Sequence, residues 1–139
     1  MSADKTFEDA NVPVKWKLAA LWTSFMFLYI YVDYFHLYMP GKMEEIGKGK
    51  VFEFAITQAF LLLVLSLVII PTLMIFLSLA LPAKANRLTN IIVATLHIPY
   101  MLFNLAGEAW PHMYLAALAE VALLRLIILY AWKWPVVES

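Results

Sequence analysis

The sequence predicts an all-α, polytopic membrane protein: one integral domain, residues 1–139, built as a bundle of four transmembrane helices. Three observations predict it. The chain is 64% hydrophobic and 14% charged, whereas soluble domains are nearer half apolar and a quarter charged. Its mean hydropathy is +0.80. Long apolar runs recur along it, most of them reaching the ~20 residues a helix needs to cross a bilayer. Four such helices with short loops use up the whole length, so no separate soluble domain is expected.

Residues 1–13 are polar and mixed in charge, and are expected to lie in water as a tail. Lys15, Trp16 and Lys17 then supply cationic and aromatic groups at headgroup level. The first span, residues 18–39, stops at the breaker pair Pro40-Gly41. It is too long for a signal-peptide core, contains Asp33 and lacks a small-residue cleavage site, so it reads as a retained helix. The charged, glycine-containing loop that follows is a solvated connection, with room for a short interfacial turn.

The second span, residues 51–81, is longer than crossing requires and implies tilt or an interfacial first turn. Pro71 inside it leaves the Leu67 carbonyl without its helical donor and bends the helix. Residues 82–90 read as a basic turn in which Thr89 or Asn90 caps a third span, residues 91–107. Pro99 in that span frees the Thr95 carbonyl beside His97. The fourth span, residues 113–134, closes on Trp132-Lys133-Trp134 and ends at Pro135. Lys15, Lys17, Lys84, Arg87 and Lys133 fall on one side of such a bundle, and Lys42, Lys48 and Lys50 on the other. The bias places both termini in the cytoplasm of a multi-pass cell-membrane protein.

Polar groups inside these spans are costly, roughly 2.5–3.5 kcal/mol for a carboxylate on insertion scales, and so mark functional positions. Tyr29, Asp33 and His36 share one face at helical spacing. At the depths the spans imply, Glu53, Thr57, Gln58, Asn104, Glu108 and His112 gather on that same outer side. His97 and Glu120 lie near mid-membrane, and Arg125 lies further in. This asymmetry implies a polar pocket opening outward. Asp33 and Glu120 are the candidate acid/base or anchoring groups, with His97 and His36 as proton donors or shuttles. Tyr29, Glu53, Gln58, Asn104, Glu108, His112 and Arg125 are the candidate ligand contacts.

Each has a plainer reading. Asp33 can accept hydrogen bonds from tyrosines, and Glu120 with Arg125 can form a neutralising pair within or between chains. Their five-residue spacing turns them roughly 140° apart around a helix, so Glu120 is expected to bond His97 or Asn104 instead.

Other chemistries are excluded or unsupported. Without cysteine there is no disulfide, thiolate catalysis or zinc-thiolate site. Ten basic and ten acidic side chains leave no footprint for nucleic acid. Asp33-x-x-His36 and Glu108-x-x-x-His112 have ligand-like spacing, but a di-iron bundle needs two Glu-x-x-His motifs and two further glutamates. No metal site is therefore expected, and no cofactor is specified.

Through Lys17-Leu-Ala-Ala-Leu-Trp22 and Tyr29-Ile-Tyr-Val-Asp33 the chain resembles a small bacterial membrane family of unknown function. That family has about four helices and a Lys-Leu start leading to Tyr-x-Asp in the first. The length and helix layout are also similar to DoxX-like membrane proteins, some of them linked to quinone or thiol redox systems. A likeness of architecture does not carry function, and no catalytic residue transfers from either family. The expected function is binding or conversion of a small lipophilic molecule with a polar head, quinone- or isoprenoid-like, with the bilayer as the other partner; whether it is an enzyme is left open. The rival is a non-catalytic transport or membrane-complex subunit acting as a homo-oligomer. A polar cluster enclosed within one protomer favours the first.

Because the chain lacks cysteine, the orientation is directly testable. Lys48→Cys should react with an impermeant thiol reagent in intact cells, and Lys84→Cys only after permeabilisation. Labelling of Lys84→Cys in intact cells would invert or break the four-span order.

Overall fold

The structure is a computed structural model that describes residues 6–138. The first five residues of the expected tail, and Ser139, lie outside the described residues. Residues 6–13 form no regular element and are exposed. The described chain forms α1 (Val14–His36), α2 (Lys42–Gly47), β1 (Lys50–Val51), β2 (Phe54–Ala55), α3 (Gln58–Ala80), α4 (Ala83–Phe103) and α5 (Pro111–Trp132).

Local chemistry sets the ends. Pro13 and Pro82 precede α1 and α4 with φ of −58° and −64°, extended conformers that start a helix without supplying a side-chain cap. The Thr57 hydroxyl caps α3 by accepting from the Phe60 N–H at 3.1 Å. Pro111 opens α5 at the first helical position, where its missing N–H costs nothing.

Two boundaries differ substantially from expectation. The second span does not begin at residue 51. Residues 50–55 pair instead as an antiparallel hairpin, Lys50 opposite Ala55 and Val51 opposite Phe54. Phe52 at its tip takes a positive φ of 53°, and the Ile56 N–H closes the ladder on the Gly49 carbonyl at 2.8 Å. The short aromatic run Val51-Phe-Glu-Phe54 is read as helix by hydropathy but suits a pleated ribbon. The third helix begins at residue 83, not 91, so residues 83–90 are helix and not a turn. Thr89 and Asn90 are therefore not caps. That helix ends at Phe103 and not at 107. The other spans shift by four residues or fewer at each end.

α1 lies between α3 and α5, and α4 packs closely on α5 and more loosely on α3. The four long helices thus close a ring whose weakest seam runs between α3 and α4. Leu18, Trp22, Phe25, Met26, Met74, Ala94, Met101, Leu124 and Ile127 fill its centre.

One end of the ring is knotted by hydrogen bonds among fully buried groups. Trp22 Nε1 donates to Asn90 Oδ1 at 2.7 Å, and the Ser78 hydroxyl shares that oxygen at 3.3 Å. Asn90 Nδ2 donates to the Asn86 carbonyl and side-chain oxygens at 2.9 and 2.7 Å. Asn86 Nδ2 donates to the Ser78 carbonyl at 2.6 Å, and Lys15 Nζ to the Leu81 carbonyl at 2.7 Å. α1, α3 and α4 are all tied at this point.

α1, α3 and α5 are long and apolar enough to cross a membrane. In α3 the most apolar window has hydropathy 2.9 yet only 11% of it is buried, so its leucines face outward rather than into a core. α4 is amphipathic in the inverse sense. Asn86, Asn90, Ala94, His97 and Met101 point inward, while Leu88, Ile92, Leu96, Leu102 and Phe103 point outward.

Asn90→Ala should cost between about 1 and 3 kcal/mol, because it leaves the Trp22 indole and the Asn86 side chain short of partners. Thermal unfolding in detergent checks this, with exposed Ser66→Ala as the control expected to change little.

Candidate functional site

At the end opposite the knot the helices part around a cavity of about 540 Å³. That size is ordinary for a small-molecule site. α1 contributes Tyr29, Val32, Asp33 and His36, and α3 contributes Phe60, Leu63, Val64 and Leu67. Tyr100, Met101, Phe103 and Asn104 come from the end of α4, and Met113, Ala117 and Glu120 from α5. α2 and the hairpin lie across the opening, presenting Lys42, Glu45, Ile46, Val51, Phe52 and Phe54.

Two carboxyl groups from facing helices converge here. Glu120 is 3% exposed, and its Oε1 has no hydrogen-bond partner. Asp33 opens directly into the cavity and forms no ion pair among the described residues. Asp33 reaches the cavity from α1 and Glu120 from α5. Small side chains at Ala116 and Ala117, both buried, let α1 pack closely on α5. The Tyr29 and Tyr100 hydroxyls meet at 3.1 Å and join α1 to α4 beside the carboxyl groups.

His97 sits behind this wall and not in it. Its ring packs edge-on against Trp22, Phe25 and Tyr100 at 6.0–6.1 Å between centroids. Nδ1 donates to the Val93 carbonyl at 2.8 Å, whereas Nε2 has no partner of hydrogen-bond geometry. The Leu67 carbonyl, which Pro71 deprives of its donor, faces the same imidazole. The proline and the histidine therefore belong to one feature behind the cavity wall.

The roof is held through Gly107. This residue has φ +86°, and a Cβ there would collide with the Phe52 ring. Only glycine satisfies both the backbone and the contact. On the roof itself Lys42 pairs with Glu45 at 3.2 Å, and Lys48 with Glu44 at 2.6 Å.

Among known proteins, one family model, described as "Family of unknown function (DUF6326)", matches residues 5–138. The chain belongs to this family. The DUF6326 match covers every cavity-lining residue, so carboxyl groups, tyrosine pair and roof lie within the family unit. No curated protein and no solved structure matches the chain.

Of the residues singled out from sequence, Tyr29, Asp33, His36, Asn104, Glu108 and Glu120 line the one cavity. Glu53 and Gln58 are exposed and outside its lining. His112 faces a separate apolar groove beside Phe35, Tyr38 and Trp110, its ring 6.3 Å from that of His36. Arg125 is exposed and makes no ion pair among the described residues, so the Glu120–Arg125 pair does not form within the chain. Glu120 does not bond His97 or Asn104 either, since its Oε1 and the His97 Nε2 are both unpartnered. Nor do tyrosines occupy Asp33: Tyr29 bonds Tyr100, and Tyr34 bonds Tyr38 at 2.7 Å. Glu108 accepts from the Trp110 indole at 2.9 Å. Among the described residues no three His, Asp or Glu side chains converge as a metal set would require.

Tyr100, Phe52 and Gly107 were not legible as site residues. The Asn86–Asn90–His97 stripe had a signal, its i, i+4, i+11 spacing, once the helix is extended back to residue 83.

Gly107→Val should loosen the roof. Amide exchange of residues 50–55 should speed by about tenfold, equivalent to ~1.4 kcal/mol of local opening, while α5 exchange stays unchanged. Unaltered hairpin exchange would remove the Phe52–Gly107 contact as the latch.

Proposed function

We propose that this chain is a four-span membrane protein that binds a small lipophilic molecule beneath the roof formed by α2 and the hairpin. The polar head of the ligand engages Glu120 and Asp33, and its apolar body lies against the aromatic and leucine walls. The observation that carries this reading is Glu120, a carboxyl group 97% withdrawn from solvent that lines a cavity and has a side-chain oxygen without a partner. A buried unsatisfied acceptor costs about 1–3 kcal/mol, so a group that persists this way is explained by a partner that comes and goes.

The inverse amphipathicity of α4 supports the fourth span. Its hydropathy is lowered by side chains that face the bundle, whereas past Arg87 its outward face is hydrocarbon apart from Thr95 and Pro99. The same ordering supports cytoplasmic termini, with Lys15, Lys17, Arg87 and Lys133 at the knotted end and the cavity at the other. There Lys17 lies over the Tyr130 ring and Arg87 over Trp132, at 5.2 and 5.3 Å, as interfacial anchors do.

The loose seam between α3 and α4 suits entry from the bilayer. Leu63 and Phe103, one on each helix, line the cavity and are 60% and 55% exposed at its edge. Conversion of the ligand would use Asp33 and Glu120 as acid and base. The rival, an oligomeric transport or complex subunit, is less favoured because a single chain supplies the cavity lining and buries Glu120 within it.

The test is extraction of bound lipophile from the full chain purified in mild detergent, read by mass spectrometry. Wild type should carry a near-stoichiometric ligand, and Glu120→Leu should lose it at least ~tenfold while circular dichroism stays unchanged. An empty wild type that also shows no saturable binding of any lipophilic probe, neutral or charged, would overturn the reading.

A further inference from the structure

The charge balance of the cavity says more about its ligand than its size does. Four carboxylates line it (Asp33, Glu45, Glu108 and Glu120) against two lysines, Lys42 and Lys50. The lysines belong to the roof, and Lys42 is already bound to Glu45. Glu120, buried, and Asp33, an exposed residue, line the same space, and neither forms an ion pair among the described residues. Nothing among the described residues neutralises them: Arg125 points away, Lys50 makes no ion pair, and His97 is turned toward the Val93 carbonyl. Tyr29 and Tyr100, the polar groups nearest the two, are bound to each other.

The walls match the same partner. Tyr29, Phe52, Phe54, Phe60, Tyr100 and Phe103 ring the space with aromatic side chains, whose faces attract a desolvated positive charge. Aromatic walls beside two carboxyl groups that have no cationic partner among the described residues suit a cation with apolar substituents.

We infer that the cavity takes a lipophilic cation, an ammonium- or phosphonium-type head carrying apolar groups, held between Glu120 and Asp33 inside the aromatic ring. The inference rests on the reading of this cavity as a ligand site and narrows it to one charge class. Removing one carboxylate leaves the cation with half its counter-charge in a low-dielectric space, so each carboxylate contributes separately to affinity.

The experiment compares two probes of nearly equal size and apolarity but opposite charge, tetraphenylphosphonium and tetraphenylborate, with neutral farnesol alongside. Binding to the full chain in lipid nanodiscs is measured by equilibrium titration. Tetraphenylphosphonium should bind saturably and tetraphenylborate should not. Glu120→Gln and Asp33→Asn should each weaken tetraphenylphosphonium on the order of tenfold or more, while Glu120→Asp, which keeps the charge, should stay within a few-fold. Melting curves of all three variants accompany the titrations, and Asp33→Asn carries the test should Glu120→Gln fail to fold. Equal binding of the borate, or phosphonium binding untouched by both neutral variants, overturns the inference. Saturable, Glu120-dependent farnesol binding without phosphonium binding would sink the cation assignment and leave the ligand cavity standing. No binding of any probe would remove both.

Discussion

The hydrogen bond from the Trp22 indole to Asn90, 2.7 Å long and wholly buried, is the interaction on which the rest of the bundle depends. Without water to take over, an indole N–H and a carboxamide among apolar helices must find each other or go unsatisfied. Their bond, extended through Ser78, Asn86 and the Leu81 carbonyl, pins three helices at one end. Association of apolar helices in lipid gains little from burial alone, so such polar contacts and close packing decide which helices meet. With that end tied, and α3 joined to α4 by only Leu81 and Pro82, the seam between them is free to widen toward the other end. The cavity lies where this widening is greatest and where the loop residues 37–57 are available to cover it.

Satisfied and unsatisfied polar groups therefore separate along the molecule. At the knot every buried amide has partners. Toward the other end His97 Nε2, His112 Nε2 and Glu120 Oε1 have none. A fold that can tie Asn86 and Asn90 so completely is under no general constraint that would leave Glu120 orphaned. The contrast is what makes the carboxyl group informative: one region is built for stability and the other keeps open valences.

Much of this was legible in the chain. The all-α architecture followed from apolar runs of spanning length, and the shared face of Tyr29, Asp33 and His36 followed from helical spacing that tertiary packing left intact. What failed did so for identifiable reasons. Residues 83–90 were read as a turn because Pro, Lys, Asn, Arg and Thr lower hydropathy, which measures the mean of a segment and not the direction of its side chains. The hairpin at 50–55 was invisible because its tip, Phe52-Glu53, lacks the Asn-Gly or Asp-Gly signal of tight turns and holds its positive φ on a phenylalanine. Depth arguments grouped Glu120, which lines the cavity, with Glu53, Gln58 and His112, which do not, because depth fixes height along the bundle and says nothing of azimuth. The Glu120 partner expected from sequence, His97 or Asn104, is missing for the same reason: His97 faces the aromatic cluster behind the cavity wall.

The central claim is that Glu120 and Asp33 keep their free valences for a molecule that is not part of the chain. The most direct measurement is a crystal structure of the protein grown from a lipid phase without exchange into harsh detergent. Non-protein density between the two carboxyl groups, with an atom within hydrogen-bonding or ion-pairing reach of Glu120 and an apolar body among Phe54, Phe60 and Phe103, is the predicted result. Glu120 bound instead to Arg125 of a second copy, with the cavity collapsed or lined by the neighbour, would contradict it and return the carboxyl groups to assembly.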